Sequence, residues 1–131
     1  MKKLKGYIFS RQFMGEKIQQ NIQNLTIRNF CEKNNFFYTL SSAEYAMEDS
    51  YMILKSMISN AKQFNGIIAY SLFQLPKNLE MRTNFLEQMI KKKIFFVSAI
   101  EEIFIKNKYD IEEMNKLWKI KEILQYCPKN I

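Results

Sequence analysis

The sequence contains no histidine, and only two cysteines, three glycines and two prolines among 131 residues. Each scarcity closes off chemistry. Without histidine there is no Ser-His-Asp or Cys-His nucleophile system, no histidine-ligated zinc and no imidazole base near neutral pH. Catalysis would have to use carboxylates, Lys, Tyr, Ser, Cys or a cofactor; the residues identify no cofactor and no metal site. So few glycines argue against Gly-rich phosphate loops and flexible linkers. Cys31 and Cys127 lie far apart and form no CxxC pair, which fits reduced thiols in a cytoplasmic protein. No apolar run reaches the roughly 18 residues of a membrane span, so no membrane insertion is expected. The start "MKKLKGYIF" is basic and then apolar, but its apolar part is too short for a signal peptide.

What is present describes a folded chain. Hydrophobic residues make up 47% and aromatics 15%, enough to exclude disorder, and the length suits one α/β domain over residues 1–131. Twenty Lys and Arg against thirteen Asp and Glu give a net charge of +7. That balance favours anionic partners: nucleic acid, phosphorylated metabolites or a membrane surface.

Strand-like and helix-like segments alternate. Strands are expected at residues 4–9, 36–40, 67–70 and 94–97, with a short edge strand at 103–105. The first helix is expected over 17–33 with Ile18, Ile22, Leu25 and Phe30 inward. The second follows a Ser50 cap, with Leu54, Met57, Ile58, Ala61 and Phe64 inward. A third, capped by Asn78, turns Met81, Phe85, Met89 and Ile90 inward. The last spans about 110–126, opened by Asp110 and closed by Pro128. This order predicts a three-layer α/β domain with a mostly parallel sheet, Gly6–Phe9 and Ile67–Tyr70 being adjacent central strands. Such sheets bind ligands along the edge formed by the strand C-termini.

Several polar residues gather on that expected edge. Strand one ends in Ser10 and Arg11, followed by Phe13. Strand two leads into Ser41, Ser42, Glu44 and Tyr45. Strand three ends in Tyr70, Ser71 and Gln74, and Glu101 and Glu102 follow strand four. Arg11 offers a planar fork of donors to a phosphate or carboxylate. Glu44 can move a proton or accept from sugar hydroxyls. The candidates are therefore Ser10, Arg11 and Glu44 as catalytic residues, with Phe13, Tyr45, Tyr70, Ser71 and Gln74 binding substrate. Plainer roles stand beside these: Ser41 and Ser42 as helix caps, and Arg11 paired with Glu44 or Glu16.

Two resemblances attach to these segments. "GYIFS", "QNIQNLTIRNFC" and "GIIAYSLFQLP" resemble the catalytic domain of serine recombinases (resolvases) over roughly residues 6–105. The resemblance implies strand order 2-1-3-4-5 with an antiparallel last strand. Ser10 aligns with the family nucleophile only across a gap, Ile8 or Phe9 replaces the arginine before it, and Phe73, Gln74 and Lys77 stand where Asp, Arg and Arg belong. "GYIFSRQFMGE", "QNLTIRNFC", "SSAEYAME" and "YSLFQLP" resemble the sporadic carbohydrate cluster family, small proteins encoded among bacterial surface-polysaccharide (O-antigen type, lipopolysaccharide) genes. That resemblance implies a cytoplasmic enzyme or ligand-binding accessory protein acting on an anionic sugar or nucleotide-sugar, with no specific DNA partner. The alternatives are a degenerate resolvase-like nucleic-acid binder without recombinase activity, and a non-catalytic partner subunit. A homodimer is expected from aromatic surface on the last helix, at Tyr109, Trp118 and Tyr126.

Overall fold

The computed structural model describes residues 1–126; Cys127 and Pro128, and the side chain of Tyr126, lie outside what is described. Strands β1 (Lys3–Ile8), β2 (Phe37–Ala43), β3 (Gly66–Ala69) and β4 (Phe95–Ser98) are parallel, and β5 (Ile103–Ile105) returns antiparallel beside β4. Their order across the sheet is β2-β1-β3-β4-β5, with β1 and β3 adjacent at the centre as the apolar runs predict. Helices α1 (Gln20–Lys33), α2 (Met52–Ser59), α3 (Leu79–Lys91) and α4 (Lys108–Tyr126) connect and cover the strands.

Alternation along the strands divides the apolar residues between two cores. Tyr7, Ile67, Ala69, Phe96 and Ile105 face α2, α3 and α4, joined by Leu54, Phe85, Met114 and Trp118. Leu4, Ile8, Ile68, Phe95 and Val97 face Ile27, Phe30 and Cys31 of α1. β3 and β4 are buried at every position, so their sequences read as unbroken apolar runs rather than alternating ones. Gly6 is needed at the β1–β2 seam, since a Cβ there would overlap the Ser41 hydroxyl.

The helices correct four expectations. In α1, Gln23 and Ile27 point inward with Phe30 and Cys31, whereas Ile22 and Leu25 are exposed. In α3, Met81 faces outward and Arg82 and Leu86 are buried with Phe85 and Met89; Asn78 does cap the helix, accepting from the Met81 N–H at 2.9 Å. The second helix stops at Ser59, and Ala61–Gln63 forms a separate 3-10 turn before the extended Phe64. α4 begins two residues before Asp110, whose N–H bonds the Asn107 side chain.

Candidate functional site

β2 runs on to Ala43, which places Ser41 and Ser42 inside an edge strand and Glu44 directly after it. The Glu44 carboxylate is buried and enclosed by donors. Oε1 accepts from the Tyr7 hydroxyl at 2.8 Å and the Leu54 N–H at 3.2 Å. Oε2 accepts from the N–H groups of Tyr45 and Ile53 and from the Ser50 hydroxyl at 3.0–3.3 Å. Ile53 and Leu54 open α2, and their N–H groups have no partner within the helix. Glu44 is thus the N-terminal cap of α2, with its charge at the positive end of the helix dipole. Ser50 does not cap the helix itself; Tyr51 occupies the cap position without a side-chain bond.

Arg11 pairs with neither Glu44 nor Glu16. Its Nη1 donates to the carbonyls of Tyr45 and Met47 at 2.9 and 2.8 Å, and its guanidinium lies over the rings of Phe9 and Tyr51 at 4.3 and 4.9 Å. Nη2 is buried without a partner. Arginine therefore ties the loop after β1 to the loop after β2. Burial raises the Tyr51 phenol above its ordinary range, and the Arg11 charge opposes that rise.

A second network joins the other loops of this edge. Gln23 of α1 exchanges two hydrogen bonds with the backbone of Phe9, at 3.0 and 2.8 Å, and also donates to the Ile18 carbonyl. Gln74 donates to Gln23 Oε1 at 2.7 Å and accepts from the Ser71 N–H. The Ser71 hydroxyl donates to Glu101 Oε2 at 2.7 Å, and Glu101 Oε1 accepts from the Leu72 N–H. The chain Gln23–Gln74–Ser71–Glu101 spans the ends of β1, β3 and β4, and every polar group in it is matched.

The candidate residues consequently form two groups rather than one. Arg11, Glu44 and Tyr45 lie on the β2 side with Tyr7 and Tyr51. Phe13, Tyr70 and Ser71 line a small cleft with Met14, Glu101 and Lys121. Phe13 and Tyr70 meet edge to face, 6.3 Å apart. Gln74 lies buried beneath, and Ser10 is half-buried. The cleft holds about 160 Å³, small beside the roughly 300–1,000 Å³ usual for ligand sites. A wider open groove runs along the outer face of α3, past Leu79, Met81 and Thr83, and none of the candidate residues lines it. Among the described residues no group of three or more Cys, Asp and Glu is placed to hold a metal ion.

Tyr7, Gln23, Arg82 and Trp118 carry weight that spacing does not reveal. Arg82 is buried, donating to Asn115 Oδ1 at 2.9 Å and to the Pro76 and Lys77 carbonyls at 3.0 Å, with its guanidinium 4.2 Å from the Trp118 ring. Burial lowers its pKa to about 10, still far above neutrality. Cys31 is buried as its apolar helix face predicts, and its thiol is pushed up to about 11.

No protein-family model matches the sequence, and no curated protein matches it. The fold does have solved counterparts. The N-terminal catalytic domain of TP901-1 integrase superposes with a TM-score of 0.65 at 17% identity, over 93% of this chain and 99% of that one. A resolvase family site-specific recombinase from Streptococcus pneumoniae gives 0.63 at 13% identity, over 92% and 89%. The C-terminal catalytic domain of ISC1926 TnpA, an IS607-like serine recombinase, gives 0.53 at 11%, over 92% and 93%. The fold is therefore that of serine recombinase catalytic domains, including the antiparallel last strand.

These neighbours overturn the carbohydrate reading. No sequence relative supports the polysaccharide-cluster resemblance, and the structural counterparts are recombinase domains. Surface-polysaccharide biosynthesis, the anionic sugar or nucleotide-sugar ligand and the exclusion of specific DNA are all withdrawn. The short motifs behind that reading lie at the strand ends and on α1. Trp118, expected on the surface, is fully buried, while Tyr109 is exposed. Among the described residues no helix is long and apolar enough to cross a membrane.

Proposed function

We propose that this chain is a resolvase-like nucleic-acid-binding protein, a cytoplasmic α/β domain that does not exchange DNA strands. The observation that carries the reading is a recombinase strand order in a chain of charge +7. The absence of strand exchange rests on charge at the strand ends. Phosphoryl transfer through a serine needs cationic donors around the reacting phosphate. Here Phe73, Gln74 and Lys77 stand where the recombinase family has Asp, Arg and Arg, so both arginines are missing, and Gln74 is buried against Gln23. On this reading Arg11, Glu44, Ser71 and Gln74 hold the strand-end loops in place, and Ser10, Phe13, Tyr45 and Tyr70 line their surface.

Two measurements test the proposal. Gel-shift or anisotropy titrations should show binding that weakens steeply with salt, as counterion release requires. Incubation with supercoiled plasmid followed by denaturing gels should show no covalent protein–DNA species. Absent or salt-insensitive binding would sink the nucleic-acid reading, and a phosphoserine link through Ser10 would sink its non-recombining half.

A separate feature supports self-association. Leu117, Ile120, Ile123 and Leu124 form an exposed stripe on α4, at helical spacing. Light scattering at micromolar concentration should give a dimer mass, reduced toward the monomer by Ile120→Glu. A monomeric mass for the unaltered chain would count against this.

A further inference from the structure

The charge is not spread evenly over the fold. At the edge where the parallel strands begin, backbone bonds fix neighbouring residues in a row. The Phe37 N–H donates to the Lys2 carbonyl, Lys3 and Asn65 exchange bonds through the Lys3 carbonyl and N–H, and the Phe95 N–H donates to the Asn65 carbonyl. Lys93 lies two residues before β4, and antiparallel β5 ends at this same edge, followed by Lys106. The row Phe37–Lys3–Asn65–Lys93–Lys106 thus crosses all five strands, roughly 19 Å at the usual strand spacing.

Its lysines are exposed, and among the described residues none has a carboxylate within ion-pair distance. Asp110 is close by, but its carboxylate accepts from the Lys106 backbone N–H at 2.9 Å. Aromatic rings are interleaved with the charges. Phe37 is 53% exposed, and the Lys2 and Lys106 ammonium groups lie 5.2–5.6 Å from the Phe95 and Phe104 ring centres. The opposite edge, where the strands end, presents Glu48, Asp49, Glu101 and Glu102. There the carboxylates offset Lys17 and Lys77, whereas the strand-start lysines stand without such partners, so a phosphate backbone is drawn more strongly to the strand-start edge.

We infer that this strand-start edge, with lysines along it and Phe37 at one end, is the nucleic-acid-binding face, and that it takes single strands. The inference rests on the nucleic-acid reading above and assigns it a surface away from the one where the candidate residues lie. Lysines track the backbone phosphates, and an exposed phenyl ring offers a base a stacking platform that a duplex, with its bases paired inside, cannot use.

Fluorescence anisotropy with a labelled oligothymidine, repeated with a duplex of equal length, tests this across a salt series. The triple variant Lys3→Gln, Lys93→Gln, Lys106→Gln should bind less tightly. Its slope of log affinity against log salt should be shallower by about 0.7 for each phosphate contact removed. Phe37→Ala should weaken single-strand binding about 5- to 150-fold and leave the slope unchanged. Lys17→Gln with Lys77→Gln, on the strand-end side, should change neither. All the altered side chains are exposed, and an unchanged circular-dichroism melt verifies that each variant is folded. Binding that persists in the triple variant but is lost in the Lys17/Lys77 variant would overturn this assignment and leave the nucleic-acid reading standing. Equal or tighter binding of duplex would overturn the single-strand choice. No binding of either oligonucleotide, or binding only to anionic lipid vesicles, would overturn both readings.

Discussion

Glu44→Ala is expected to destabilise the fold by about 2–5 kcal/mol, the combined range for an unpaired buried hydroxyl and a lost helix cap. Five donors converge on this carboxylate: the Tyr7 and Ser50 hydroxyls and the N–H groups of Tyr45, Ile53 and Leu54. Alanine would leave the Tyr7 hydroxyl buried without an acceptor and the first turn of α2 uncapped. Glu44→Gln should cost less, since one amide oxygen still accepts, but its NH₂ would face N–H donors. Denaturant melts of both variants provide the check. A loss below about 1 kcal/mol for Glu44→Ala would show that the carboxylate does not hold α2 in place.

The same cluster sets a response to alkali. Burial, and after it the Glu44 charge, push the Tyr7 phenol well above its ordinary value. A group whose pKa is raised on folding contributes its stability fully below its unfolded pKa, about 10 for tyrosine, and loses it as pH climbs beyond. The unaltered protein should therefore lose stability above about pH 10. Tyr7→Phe should be less stable at neutral pH, with one Glu44 donor gone, yet lose less on going to alkali.

The strands were legible in the sequence because local pattern suffices for them. Ile67–Ala69 and Phe95–Val97 are apolar at every position, as strands covered on both faces must be, and their pairing follows from topology. Segments whose polar residues find partners far along the chain were not legible. Helical spacing placed Ile22 in the core and did not single out Gln23 beside it. The reverse holds because Gln23 meets Phe9 and Gln74, the latter 51 residues away. Glu44 looked like a proton carrier because nothing local shows that α2 will begin against it. Ser41 and Ser42 looked like the end of β2; an edge strand, half open to solvent, tolerates them inside it. Periodicity identifies which face of an element is apolar, and long-range hydrogen bonds decide which polar residues join it.

Trp118→Ala should produce the other large loss, about 3–5 kcal/mol, as expected for a fully buried aromatic. The indole is completely enclosed, 5.1 Å edge to face from Phe73 and covered by the Arg82 guanidinium. Its removal would leave a cavity between α3, α4 and the turn after β3. It would also strip a cation–π partner from a buried charge whose other contacts are Asn115 and the Pro76 and Lys77 carbonyls. At roughly 3 °C per kcal/mol for a chain of this size, the melting temperature should fall by about 10 °C or more. Trp118→Phe separates two opposing effects. It loses volume, but it also removes a buried indole N–H that has no acceptor, so its loss should be well under half that of alanine. If phenylalanine proved as damaging as alanine, the retained ring volume would bring no benefit and the indole itself, through its N–H or its contact with Arg82, would be what the site requires. If alanine itself cost less than about 1 kcal/mol, α4 would not be locked to α3 through this ring. The exposed apolar stripe on the other face of α4 would then have to be judged on a helix free to shift.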